Sequence, residues 1–145
     1  VINQVGSRSF YTVFEHTADV GIEVTASSME ELFVHSALAL ADIMFERSPS
    51  GTSEGRLIMV VGSNPEELLI AWLNELLYIY AVERLVFSDF TDTELTETTF
   101  MTRARGERAD PERHGLEMEI KAATYHGFSI ERDGDTFRAR IIFDI

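Results

Sequence analysis

Phe128-Ser129-Ile130-Glu131-Arg132-Asp133-Gly134-Asp135-Thr136-Phe137-Arg138-Ala139-Arg140-Ile141-Ile142-Phe143-Asp144-Ile145 is the stretch that decides the fold. It reads as two strands joined by a turn at Asp133-Gly134, residues that tolerate the positive φ of tight hairpins. Beyond the turn, Phe137, Ala139, Ile141, Phe143 and Ile145 fall on one face. Thr136, Arg138, Arg140, Ile142 and Asp144 share the other. A period of two means a strand with one side on a core. Upstream, Leu116, Met118, Ile120 and Ala122 alternate with Glu117, Glu119, Lys121 and Ala123, which predicts another half-buried strand.

Moving outward, Val86 to Phe90 and Glu94 to Arg105 are strand-like and precede a polar loop, Gly106 to Gly115. In the first half, Phe10 to Phe14 and Val20 to Ala26 read as strands. Ser28, with Glu31 three residues on, is a capping-box signal. It opens a helix with Met29, Leu32, Phe33, Ser36, Ala37, Leu40, Ile43 and Met44 on one face, ended by Ser48 to Gly55. Arg56 to Gly62 is a short strand. Asn64, Pro65 and Glu67 start a second helix over about 65–83. That helix is apolar around most of its circumference and should be buried against more than one surface. Its Trp72 reads as a core filler. Strands far outnumber crossover helices. The expected fold class is therefore α+β: a single compact domain with a mixed or mainly antiparallel sheet and two main helices packed on it.

The 145 residues suit one domain, 1–145, long enough to form a core without staples. No stretch is apolar enough to span a bilayer, and no basic-then-apolar leader opens the chain. The start at Val1 leaves open what precedes it. The lack of cysteine excludes disulfides, zinc-thiolate sites and thiol nucleophiles, and is compatible with the cytoplasm. Twelve basic residues against 25 acidic ones give a formal net charge of −13. Such a surface gains nothing from counterion release, so direct nucleic-acid binding is not expected, whereas cations and basic partner surfaces are favoured. Lys121 is the one lysine among the basic residues.

Nucleotide-binding glycine loops and zinc-protease spacing are absent. His16, His35, His114 and His126 match no zinc spacing, and His35 reads as a solvated or satisfied helix residue. Glu15-His16-Thr17-Ala18-Asp19 puts three ionisable groups in a tight link between two β segments. It is either a turn bonded to its own backbone or a functional loop. At the other end, Asp144 and the Ile145 α-carboxylate are hard oxygen donors. Phe143 and Ile145 at buried parity would pin them. With Asp19 they would make an oxygen set suited to Ca²⁺, Mg²⁺ or Mn²⁺; a frayed, solvated terminus is the competing reading. Spacing alone does not bring residues 19 and 144 together. Asp110-Pro111-Glu112-Arg113-His114 reads as a solvated charged loop. His126, before Gly127, has no evident nucleophile beside it.

Several blocks together resemble the archease family. They are Phe14-Glu15-His16-Thr17-Ala18-Asp19-Val20-Gly21-Ile22, Trp72-Leu73-Asn74-Glu75-Leu76-Leu77, Leu85-Val86-Phe87-Ser88, Asp110 to His114, Glu119 to Gly127, and the closing Asp144 with an aliphatic residue. The likeness spans about Phe10 to Ile145, apart from the Ser48 to Glu54 loop, and leaves residues 1–9 as an N-terminal extension. It implies a fold related to the strand-helix-strand-strand (SHS2) module. It also implies a non-catalytic activator of an RtcB-type, tRNA-splicing RNA ligase, promoting ligase guanylylation and multiple turnover. GTP would be met only through the ligase. By position, Asp19, Asp144 and Ile145 would hold the divalent cation and Lys121 would serve activation, with Glu15, His16 and His126 as partner-binding residues. The alternatives are an autonomous metal-dependent phosphoester hydrolase, or an adaptor for an RNA-modifying enzyme such as a tRNA methyltransferase.

Overall fold

Both helices begin where side chains can satisfy amides that have no partner in the first turn. In this computed structural model, which describes residues 2–3, 8–16 and 19–145, helix α1 runs Met29–Met44 and α2 runs Pro65–Glu83. The Ser28 hydroxyl accepts the Glu31 amide at 3.1 Å. The Glu31 carboxylate accepts the amide and hydroxyl of Ser27, each at 2.9 Å, so the return bond of the capping box lands one residue before the cap. Asn64 repeats the device with Glu67, and Glu67 reaches back to the Ser63 amide. Helix α1 ends at Met44, ahead of the serine-rich loop expected to stop it, because Phe45 turns extended and its side chain enters the core.

The strands are β1 (Ile2–Asn3), β2 (Tyr11–His16), β3 (Asp19–Ala26), β4 (Glu54–Val61), β5 (Leu85–Leu95), β6 (Thr99–Arg108), β7 (Ala122–Asp133) and β8 (Thr136–Asp144). They form two sheets, β1-β2-β3-β8-β7 and β4-β6-β5, and all the pairings are antiparallel. The fold is α+β, as the strand count requires. The helices touch each other, and each touches both sheets. That is where the apolar circumference of α2 goes. Trp72 is fully buried, edge-on to Phe100 with centroids 4.8 Å apart, and its indole N–H donates to the Phe33 carbonyl at 2.9 Å. No helix among the described residues is long and apolar enough to cross a membrane.

Four local expectations are corrected. Strand-like sequence from Glu94 to Arg105 is cut by a turn over residues 96–98, where the Thr96 hydroxyl accepts the amides of Thr98 and Thr99. The final hairpin pairs Asp133 with Thr136, so its two-residue loop is Gly134-Asp135, with Gly134 at φ 61°. Residues 116–121 keep the alternating burial but not the ladder. They form an extended arm whose Glu117 amide bonds Met44 at the end of α1, and strand pairing begins only at Ala122. The arm obeys the period-two pattern because one side still faces the core.

The fourth correction concerns Asp110 to His114, which is no solvated loop. Strand β6 continues to Arg108, and Pro111–Gly115 is a π-helical turn capped by the Asp110 carboxylate. His114 is buried, with Nδ1 accepting the Asp110 amide at 2.9 Å and Nε2 3.6 Å from the Glu107 carboxylate. Glu107 also accepts the amides of Ser50 and Gly51, tying the loop after α1 to β6. The Gly51 bond holds the Glu107 carboxyl below the usual carboxylate range, with the Arg113 and His114 charges adding to it. A depressed carboxyl stabilises the fold above its unfolded pKa, and that contribution disappears as pH falls through the folded value. Glu107→Gln should therefore lose stability at neutral pH and flatten the acid side of the stability profile, read by urea titration from neutral pH down to pH 3.

Candidate functional site

Strand β8 lies between β3 and β7, and its register sets the site. Asp19 stands opposite Asp144, followed by Val20 opposite Phe143 and Ile22 opposite Ile141. The second and third pairs are buried in the core. Alternation therefore puts Asp19 and Asp144 together on the other face of the sheet. Directly opposite residues in an antiparallel pair have Cβ atoms about 4.5–5.5 Å apart, so the two carboxylates share one place. Asp19 is half-buried, with Oδ1 shielded from solvent, and Asp144 is exposed.

On its other side Asp144 pairs with Ala122, and its carbonyl accepts the Lys121 amide at 2.8 Å. Lys121 is exposed at the end of the arm. Ile145 departs from expectation. It is 44% exposed and lies just past β8. The pin is thus the bond from the Lys121 amide to the carbonyl of Asp144, rather than burial of the last side chain.

Strand β7 is the sheet's outer strand, so Ala123 has backbone groups facing away from β8. Asn74 of α2 satisfies both. Its side-chain carbonyl accepts the Ala123 amide at 2.8 Å, and its amide donates to the Ala123 carbonyl at 3.2 Å. A carboxamide carries one acceptor and a donor in the geometry of a peptide, so this side chain stands in for a neighbouring strand. The sequence marked Asn74 only as part of a block; its role needs the docking of α2 on β7. Asn74→Ala should leave two partly buried backbone groups unpaired and cost about 1–3 kcal/mol. Hydrogen exchange should rise at Ala123 ahead of the core strands, and an unchanged rate would remove the clamp from the account.

Of the other expected residues, Glu15 pairs with Val20 and is exposed, and His16 stands opposite Asp19 in the register. Thr17 and Ala18 lie outside the described residues. The strands run further into the Glu15–Asp19 segment than the sequence indicated. His126 is exposed in a bulge of β7 between Thr124 and Ser129, beside Gly127 at φ 63°. That places it farther along β7, away from the Ala122–Asp144 pair. His35 is satisfied, its Nδ1 lying 2.8 Å from the Thr25 carbonyl and its ring stacked on Phe10. Gly21 has a steric reason. The Phe14 ring lies across it, and a Cβ there would come within 2.1 Å of that ring. Arg140 covers Phe14 in turn, at 4.1 Å from the ring centroid.

Among the described residues, no three His, Asp or Glu side chains gather in a metal-binding group. Two side-chain carboxylates, those of Asp19 and Asp144, face each other across the β3–β8 register. This donor set is all oxygen and anionic, which fits hard cations such as Ca²⁺, Mg²⁺ or Mn²⁺ and gives zinc or copper none of their preferred nitrogen or sulfur ligands.

Fold and site together define a small two-sheet α+β protein that presents paired carboxylates at a sheet end. The model of the archease protein family (MTH1598/TM1083) matches residues 11–145. Protein archease from Pyrococcus abyssi is 40% identical over 136 residues, covering 91% of this chain and 96% of that protein. Protein archease from Methanosarcina acetivorans is 32% identical over 139 residues, covering 93% and 95%. The solution structure of Methanobacterium thermoautotrophicum protein 1598 superposes with a TM-score of 0.80 at 30% identity, covering 94% of this chain and 99% of that one. A Thermotoga maritima archease, described as a possible chaperone, has a TM-score of 0.65 at 22% identity over 91% and 94% of the two chains, a likeness of fold alone. This chain belongs to the archease family.

Proposed function

We propose that this archease is a non-catalytic accessory protein that activates an RtcB-type RNA ligase in tRNA splicing, promoting its guanylylation and multiple turnover. A divalent cation, Ca²⁺, Mg²⁺ or Mn²⁺, is held by Asp19 and Asp144 with the Ile145 α-carboxylate as third donor. The observation that carries the reading is the register that sets Asp19 against Asp144 and ties Asp144 to Lys121. When bound, the cation supplies positive charge at an otherwise anionic sheet end. The protein's part is to hold the two carboxylates in register and, through the backbone bond to Asp144, to fix Lys121 at the end of the arm. Glu15, His16 and His126 are assigned to partner contact. The net charge of −13 suits a protein that leaves RNA to its partner.

The test is a guanylylation time course of the cognate ligase with GTP and Mn²⁺, with and without this protein. Faster guanylylation at substoichiometric amounts supports the reading; an unchanged rate removes it. Turnover of phosphoester or nucleotide substrates by the isolated protein would favour a hydrolase instead. A few residues appended after Ile145 should impair stimulation, because a peptide bond replaces the α-carboxylate. Undiminished stimulation by such a protein would take Ile145 out of the donor set.

A further inference from the structure

Beside the arm that carries Lys121 lies a groove of about 500 Å³, walled on its other side by the C-terminal half of α2. We infer that this groove receives an acidic segment of the partner protein, with one apolar anchor side chain; this rests on the accessory role proposed above. Half-buried Tyr80 and Ile120 supply apolar surface, and Tyr78 is 64% exposed along it. Exposed Arg84 lies over the Tyr80 ring at 5.1 Å from the centroid.

Charge selects the occupant. Among the described residues, neither Arg84 nor Lys121 forms an ion pair with a carboxylate, and Glu119 is the one acidic residue lining the groove. Two cations against one anion make a locally positive groove on a chain of net charge −13. A short acidic segment gains there, whereas an extended polyanion such as RNA would meet the repulsion of the remaining surface. Tyrosine and arginine are the side chains that most often dominate interface energetics, and an exposed tyrosine beside a concave apolar surface suits one inserted side chain. The open side, where Tyr78 and Arg84 face water, suits a protein segment better than an enclosed small molecule.

The experiment titrates the full-length protein with the cognate ligase, comparing wild type with Arg84→Glu and Tyr78→Ser. Each substitution should raise Kd about tenfold or more, while Ca²⁺ binding by the isolated protein stays unchanged. Wild-type binding should weaken with salt, and Arg84→Glu should flatten that dependence. Tyr78→Ser leaves the end of α2 intact and keeps the test decisive if Arg84→Glu folds poorly. Wild-type affinity in both folded variants overturns the groove. So do amide shifts on ligase binding confined to Leu57, Met59 and Val61, the exposed apolar residues of edge strand β4. Absence of any wild-type binding sinks the accessory role itself and is distinguishable from both.

Discussion

Asp19→Ala and Asp144→Ala are expected to reduce ligase guanylylation to the rate of the ligase alone while leaving the protein folded. Each removes one of the two side-chain carboxylates paired at the site among the described residues, so the loss of cation affinity should exceed the roughly 10–100-fold that loss of an outer-shell partner costs. Stability should barely change for Asp144, which is exposed, because surface substitutions usually fall within about 0.5 kcal/mol. Calorimetric titration with Ca²⁺ and Mn²⁺, a thermal melt and a guanylylation assay on the same preparations separate the outcomes. Variants that melt like wild type, fail to bind the cation and fail to stimulate fit the reading. Full stimulation by both variants would show that the paired carboxylates do not serve activation. Asp19→Asn, which preserves volume and removes charge, should behave like Asp19→Ala if the carboxylate's role is electrostatic.

The largest effect on stability is expected at Trp72. It is fully buried, packs on Phe100 and Phe90, and bonds the Phe33 carbonyl, so one side chain joins α2 to α1 and to the three-stranded sheet. Trp72→Ala should cost about 3–5 kcal/mol from lost transfer energy and the cavity left behind. It also strips a buried carbonyl of its partner. Against a typical total of about 5–15 kcal/mol, that is a large share. A urea titration should show a much lower midpoint at an unchanged slope. Trp72→Phe should recover most of the packing but not the bond to Phe33. A melt of Trp72→Ala within a few degrees of wild type would mean that the layers are held elsewhere.

Much of the fold was legible because period and capping are local properties. Both helix starts were marked by Ser28 and Asn64, whose side chains act on amides three residues away. The alternation of β8 predicted its buried face correctly from Phe137 to Phe143. The misreadings share a cause. Residues 116–121 alternate like a strand because one side faces the core, but a ladder needs a partner, and a single chain segment does not report whether one is present. His114 looked solvated because its charged neighbours are, while it packs against Glu107, on the strand before it, and Phe45, distant in sequence. Ile145 had the parity of a buried residue but lies beyond the last pair that would cover it.

By itself the sequence determined the α+β class, the two capped helices and the anionic charge balance, because each follows from composition or from residues within one turn or strand. Only the tertiary structure decided that Asp19 meets Asp144, that Asn74 completes the edge of β7, and that a groove with two cations lies along the arm. These are register and docking facts. They are fixed by how two sheets close over two helices, and no spacing along the chain encodes them.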